Sequence, residues 1–197
     1  PNPVVVFGTD EQKARMLPPL IQGLDRACCG VTEPDAGLNT TRLATRAVRD
    51  GDHYRVSGRK LWTTTAQTAN KILLIARTTP LEECAKPTEG LTLFYTDLDR
   101  DRIEVRLIDK MGRKAVDSNA LFIDDLLVPI GDRIGEEGDG WKCLLHGLNP
   151  ERILIAAEAV GLGQVALERA ARYASERVVF DRTIGKNQAI QHPLAEN

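Results

Sequence analysis

The sequence is poor in the residues that build metal centres and disulfide frameworks. Its four cysteines, Cys28, Cys29, Cys84 and Cys143, form no Cys-x-x-Cys pair, and only His53, His146 and His192 stand beside them. No zinc spacing results, and no metal site is expected. A chain of 197 residues does not need disulfides to hold a core, so reduced thiols in a reducing compartment are expected. Cys28 and Cys29 are adjacent, so on a strand one should face the core and the other should not. No activating neighbour suggests redox chemistry for either. No apolar run approaches the roughly 18 residues that span a bilayer. The first residues lack the charged-then-apolar pattern of a signal peptide, which is uninformative if residues precede Pro1. Neither charge dominates: 26 basic against 28 acidic residues leave a net charge of -2, which does not suit a general nucleic-acid binder. There is no internal repeat and no low-complexity stretch. What remains is the composition of an ordinary soluble globular protein.

Three periodicities follow one another. Thr9-Asp10-Glu11-Gln12 reads as a capping box and opens a short helix to about Gln22, stopped by Gly23. Pro18 and Pro19 should distort its last turn. From about Ala27 to Pro129 the signals are those of strands. Ala44 to Arg49 and His53 to Val56 flank the Asp50-Gly51-Asp52 turn. Ser57-Gly58 turns the chain into Lys60 to Thr65. Lys71 to Arg77, Leu91 to Asp97, Ile103 to Leu107 and Ala120 to Leu127 follow, with a longer polar loop over Thr79 to Gly90. Seven or eight short strands without intervening helices predict a sandwich or barrel. From Gly140 the period becomes helical, with Trp141, Leu144, Leu145 and Leu148 on one face. Asn149-Pro150 looks like a fresh helix start, the helix then running to about Val178. Asp181 to Lys186 is a loop, and Asn187 opens another helix. This helical region cannot close a core by itself, so further residues or other chains are expected to complete it.

Four segments could carry chemistry. Thr32-Glu33-Pro34-Asp35-Ala36-Gly37 follows a predicted strand. Pro34 stiffens the turn and Gly37 permits positive φ, so the backbone N–H groups could cradle a phosphate, or the segment is a plain connecting loop. Trp62-Thr63-Thr64-Thr65 ends a strand. Its indole and hydroxyls match the apolar edge and polar nitrogens of a flavin, although a core Trp reads the same way. Asn149-Pro150-Glu151-Arg152 puts a carboxylate and a guanidinium in a first helical turn, which helix electrostatics alone also favours. Arg177, Phe180, Gly185 and Gln188 surround a loop between helices.

The order of these segments resembles the acyl-CoA dehydrogenase family. Thr32 to Leu38 matches its T-E-P-x-A-G-S segment. Gly58-Arg59-Lys60-Leu61-Trp62-Thr63-Thr64 matches G-x-K-x-W-I-T. Val128-Pro129, Gly138-Asp139-Gly140-Trp141, Arg152, Arg177 to Phe180 and Gln188 follow in family order. The resemblance covers nearly the whole chain. It implies an α+β multidomain fold: a central antiparallel β-barrel or sandwich flanked by helical domains. Residues 1–25 would end the N-terminal helical domain, 26–132 form the β domain, and 138–197 open a C-terminal four-helix bundle. About half of a full-length member would then lie outside this chain.

The resemblance also implies roles. The family uses FAD to desaturate an acyl-CoA thioester between its α and β carbons. A carboxylate removes the α-proton, a β-hydride passes to the flavin, and electrons go on to an electron-transfer flavoprotein. Cys29, Val31, Thr32, Gly37, Leu38, Trp62, Thr63 and Thr64 fall along the flavin. Arg177, Val179, Phe180 and Gln188 fall where the family reaches FAD in a neighbouring subunit, which implies a homotetramer or homodimer. Leu38, Leu148, Asn149 and Arg152 fall where the family contacts the acyl-CoA. Glu151 stands where the isovaleryl- and long-chain-type branches carry the base, whereas most members carry it further along the chain. Leu38 departs from the common Ser, Cys29 from a common aromatic, Thr63 from Ile and Asn149 from an Asp of some members. An oxygen-using acyl-CoA oxidase, or a non-catalytic flavin- or acyl-CoA-binding relative, would look similar. The implied compartment is the cytoplasm of a bacterium or the mitochondrial matrix of a eukaryote, with no nucleic acid and no membrane as partner.

Overall fold

The computed structural model describes residues 2–197. The chain divides after Gly147 into two compact units.

In the first unit, two helices, α1 (Asn2–Phe7) and α2 (Asp10–Ile21), precede the strands. The predicted capping box is formed: Thr9 N–H donates to Gln12 Oε1 at 2.9 Å and Gln12 N–H to Thr9 Oγ1 at 3.2 Å. The Gln12 amide also donates to the carbonyls of Gly131 and Arg133, which ties α2 to the sheet. Eight strands follow: β1 (Ala27–Gly30), β2 (Arg46–Asp50), β3 (His53–Thr64), β4 (Lys71–Arg77), β5 (Leu91–Asp97), β6 (Ile103–Leu107), β7 (Ser118–Pro129) and β8 (Arg133–Ile134).

They form one sheet in the order β6-β7-β3-β2-β4-β5-β8, with β1 added on β4. The sheet is mixed. β1 and β2 both run parallel to β4, while the other pairs are antiparallel. An antiparallel reading fits the hairpin turns, but the β1 and β2 connections are long enough to return the chain in parallel. β4 and β5 are buried on both faces, which explains their continuous apolar runs. β3 instead alternates, with Tyr54 and Val56 buried and Arg55 exposed. The core gathers Tyr54, Val56, Ile72, Leu74, Phe94 and Leu121.

Two departures from the sequence reading matter for the site. The strands predicted on either side of Ser57-Gly58 are one strand, β3, whose register against β7 shifts between Val56 and Gly58 and again between Lys60 and Thr63. Gly58 is a bulge rather than a turn, and a Cβ there would come within 2.4 Å of Thr45 Oγ1. Secondly, Asn149-Pro150 does not start a helix. It lies inside α3, which is continuous over Gly140–Glu176. Pro150 has no N–H for the His146 carbonyl, and Asn2 Nδ2 donates to that carbonyl at 2.9 Å instead. The lost helical bond is thus replaced by a side chain, and the helix need not stop.

In the second unit, α3 ends at Glu176 rather than at Val178. A small hairpin of β9 (Val178–Val179) and β10 (Arg182–Thr183) follows, where a loop alone was expected. Phe180 and Asp181 turn it, both with positive φ, as a type I′ turn requires. Helix α4 spans Gln188–Glu196 after Asn187, as predicted. Ile153, Leu154, Val160 and Leu162 on α3 are all exposed, whereas Ala174 is buried.

Candidate functional site

β1 and β2 share one slot in the sheet, between β3 and β4. β2 takes the first half of β3, Arg46 to Asp50 pairing with Ser57 to His53. β1 takes the first half of β4, Ala27 to Gly30 pairing with Lys71 to Leu74. The chain between them, residues 31–45, leaves the sheet where the second half of β3 begins. Leu61 N–H donates to the Thr32 carbonyl at 2.8 Å, so this excursion and the Lys60–Thr64 end of β3 are joined directly.

The excursion starts with a tight turn in which Ala36 N–H donates to the Glu33 carbonyl at 3.2 Å. Gly37 does not take positive φ, contrary to the sequence reading. What it contributes is room: a Cβ built there meets no atom within 4 Å. Leu38 beside it is fully exposed, at 106%. Glu33 points the other way, into the protein. Its carboxylate accepts from Ala44 N–H at 2.6 Å, Thr45 N–H at 3.0 Å and Lys60 Nζ at 2.9 Å. Lys60 Nζ also donates to the Val31 carbonyl at 3.1 Å, and Lys60 is fully buried. Burial pushes the Glu33 carboxyl up, but the Lys60 ammonium and the donors from Thr45 and Ala44 outweigh it and hold the group below its ordinary value. Burial pulls the Lys60 ammonium down against the opposing pull of Glu33. Neither residue was singled out in the sequence as a partner of the other. Lys60 continues the core-facing alternation of Tyr54 and Val56, but nothing near it in the chain identifies the acid that must meet it.

Immediately after Lys60 the strand bulges. Trp62 has φ +60 and Thr65 has φ +62, and the Trp62 indole is left 54% exposed. A left-handed conformation in a bulky residue costs about 1–3 kcal/mol, which the surrounding bonds must offset. Thr64 is exposed, whereas the Thr63 side chain is buried. Asn119 Nδ2 donates to the Thr63 carbonyl at 3.0 Å and fixes the end of the strand. Among the described residues, Thr63 Oγ1 is one of two buried side-chain polar atoms without a hydrogen-bond partner. Cys29 is exposed and Cys28 buried, as their alternation predicted. Burial pushes the Cys28 thiol up to about 12, so it stays protonated and serves packing.

The structure therefore joins the segment that begins with Val31 and Thr32 to the end of β3 that carries Trp62 and Thr64, through the Leu61–Thr32 backbone bond, and leaves Leu38 and Trp62 exposed. Their chemistry fits a flavin: an aromatic and apolar surface for the benzenoid edge, hydroxyls for the polar ring, and open backbone at Gly37 for phosphates. Residues 28–126 match the family profile "Acyl-CoA dehydrogenase, middle domain", and residues 138–197 match "Acyl-CoA dehydrogenase, C-terminal domain". The chain belongs to the acyl-CoA dehydrogenase family. A 3-(aryl)acrylate reductase of Clostridium sporogenes is 35% identical over 98% of this chain and 51% of its own length. An acyl-CoA dehydrogenase from Geobacillus kaustophilus superimposes with a TM-score of 0.87 at 32% identity, covering 98% of this chain and 51% of that one. A glutaryl-CoA dehydrogenase from Mycobacterium smegmatis, in complex with FADH2, superimposes at 0.82 and 30% identity, over 98% and 48% of the two chains. The chain spans about half the length of the curated relatives it matches. Acyl-CoA dehydrogenases are flavin-dependent oxidoreductases, and this chain carries the family's middle sheet and the start of its C-terminal helices.

The remaining predicted residues lie in the second unit, in two groups. Leu148, Asn149, Glu151 and Arg152 occupy one stretch of α3, where Arg152 NH1 donates to Asn149 Oδ1 at 2.8 Å. Asn149 thus orients the guanidinium rather than capping a helix. Leu148, Glu151, Arg152, Ile155, Ala156 and Ala159 line a largely apolar hollow of about 460 Å³. Arg177, Val179, Phe180 and Gln188 surround the hairpin. Gly185 packs there so closely on α3 that a Cβ would lie 2.8 Å from the Ala174 carbonyl. Phe180 stands 95% exposed at the turn. No helix is long and apolar enough to cross a membrane, and no group of three or more His, Cys, Asp or Glu could hold a metal, among the described residues.

Proposed function

We propose that the full-length protein is an FAD-dependent acyl-CoA dehydrogenase that desaturates an acyl-CoA thioester and passes electrons to an electron-transfer flavoprotein. The observation that carries this reading is the exposed, left-handed Trp62 on the end of β3, next in the chain to Leu61, whose N–H is bonded to Thr32 of the excursion. In this assignment residues 1–25 end the N-terminal helical domain, 26–132 form the β domain and 138–197 open the C-terminal bundle. The exposed apolar side chains of α3 pack against the helices that complete that bundle. The protein acts as a homotetramer or homodimer, in the cytoplasm or the mitochondrial matrix.

FAD, when bound, would supply the redox chemistry as a two-electron acceptor. Everything else falls to the protein. The Trp62 indole and the apolar surface of Leu38 exclude water from one side of the ring. Thr32 and Thr64 offer hydroxyls to its polar edge, and Val31, Cys29 and Thr63 contribute through the strand backbone. The open backbone around Gly37 and Leu38 receives the pyrophosphate, with N–H groups replacing the hydroxyl of the Ser found in many relatives. Arg177, Val179, Phe180 and Gln188 serve the FAD of a neighbouring subunit. Leu148, Asn149 and Arg152 hold the acyl-CoA, with the guanidinium oriented by Asn149.

Glu151 removes the α-proton. Glu151 lines the apolar hollow on α3 beside Arg152 and Leu148, where a bound acyl chain would bring its α-carbon within reach of a carboxylate. Replacing Glu151 by Gln in the full-length protein keeps the shape and removes the base. Anaerobic bleaching of the flavin by acyl-CoA should slow by at least about 100-fold, on the scale of lost general-base catalysis. Bleaching at the wild-type rate would place the base elsewhere. Oxygen consumption without an added electron acceptor would instead favour an acyl-CoA oxidase.

A further inference from the structure

The strongest unexplained feature is a buried ion pair with no place in the reaction. Lys60 is fully buried and Glu33 nearly so, yet apolar residues of the same volume would fill that space at no greater cost. The bonds of the pair show what an apolar replacement would lose. Lys60 Nζ holds the carbonyl of Val31, where the excursion begins, and the carboxylate of Glu33, at its turn. That carboxylate in turn holds the N–H groups of Ala44 and Thr45, where the excursion ends. Lys60 itself is the last residue of β3 in regular register before the strand bulges and Trp62 turns outward. One pair therefore touches the start, turn and end of the loop and the strand that carries the indole. Thr32 and Leu61, the next residue on each side, are joined by their own backbone bond.

We propose that Glu33 and Lys60 form a positioning clasp: it holds the 31–38 loop and the Trp62 bulge as a single preformed flavin-binding surface. The clasp touches no substrate and takes no part in proton or electron transfer. It acts by keeping two segments from different strands in one geometry before FAD arrives. Without it the loop keeps its backbone bond from Leu61 to Thr32 and the anchor at Arg77, but its turn at Glu33 is untied from the strand, and Trp62 relaxes from its left-handed conformation.

This inference rests on the flavin-binding reading above, and the test separates the two. Three full-length proteins are compared as apoproteins: wild type, K60M and E33Q/K60M. K60M leaves a carboxylate buried without its ammonium and should lose both stability and FAD binding. The double variant has no unpaired buried charge, so its apoprotein melting temperature should return to within about 2 °C of wild type, the shift of roughly one kcal/mol in a protein about twice this chain's length. Its FAD dissociation constant should stay raised about tenfold or more, since small displacements of positioning groups have effects of that order. Amide exchange in the apoprotein should quicken over residues 31–38 and 61–64 and not in β4 or β5. A double variant that binds FAD as tightly as wild type overturns the clasp. So does weaker binding that merely tracks a proportionate fall in melting temperature, which marks an ordinary core ion pair. If wild type itself takes up no FAD, the flavin reading falls, and the exchange pattern still decides whether the pair holds the two segments together.

Discussion

Arg77 offers a direct check on how the excursion and the long polar loop are anchored. It ends β4 and is 6% exposed. Its Nε donates to the Leu43 carbonyl at 3.1 Å, and its terminal nitrogens donate to Thr41 at 2.8 Å, Glu89 at 3.0 Å and Pro87 at 3.2 Å. Two of these carbonyls belong to the end of the 31–45 excursion and two to the end of the loop before β5. Replacing Arg77 by Met keeps most of the apolar stem and deletes all four bonds to carbonyls, together with a weaker one to Cys84 Sγ at 3.9 Å. Hydrogen bonds to a charged group contribute roughly 1.5–3 kcal/mol each. A simple sum overstates the loss, because the bonds share one side chain, removal of the guanidinium recovers its desolvation cost, and water can reach the freed carbonyls. A net loss of about 3–5 kcal/mol remains, comparable with breaking a buried charged network. At roughly 1–2 °C per kcal/mol for a protein about twice this chain's length, the melting temperature of the full-length protein should fall by about 3–10 °C. Hydrogen exchange localises the effect: amides over residues 39–45 and 78–90 should lose protection before those of β4 and β5. A variant within about 1 kcal/mol of wild type, with unchanged exchange in both segments, would refute the reasoning, because it would mean that backbone pairing alone holds them.

Two further outcomes follow from the same structure. The folded Glu33 carboxyl lies below its ordinary value of 4.5, so its contribution to stability is present above that value and lost as pH falls through the lower folded value. Denaturation midpoints between about pH 3 and 6 should therefore drop towards acid in wild type and do so less in E33Q, and equal slopes would contradict the buried pairing. Gly140 opens α3 so close to β5 that a Cβ would lie 2.6 Å from Leu93 N and Thr92 C. G140A should cost about 1–3 kcal/mol or more by overpacking against backbone that cannot move aside, and an unchanged midpoint in urea would show that the helix start shifts freely.

The order of elements was legible in the amino-acid sequence because each rests on a local rule. Thr9 and Gln12 form a capping box within four residues. Cys28 and Cys29 sort themselves by strand alternation. The apolar run of β4 and the helical spacing after Gly140 are equally local, and the ordered Thr32–Leu38, Trp62–Thr64, Arg152 and Arg177 segments identified the family. Pairings between distant residues were not legible. Nothing near Pro150 reveals that Asn2 takes up the carbonyl it leaves free, so the sequence reading broke a helix that the fold keeps whole. Nothing near Gly58 reveals that Thr45 lies against it and that one bulged strand runs through. The same holds at the candidate site. Trp62 and Thr32 each carry an ambiguous signal in their own segment, and a structural reading of each is reasonable. Only the tertiary structure sets β1 and β2 in one slot, turns Trp62 outward at a bulge and places Lys60 under the loop it tethers. Alternation and capping depend on neighbours a few residues apart, whereas a buried charge can be satisfied only by whatever the fold brings to it, and that partner lies 27 residues away in the chain.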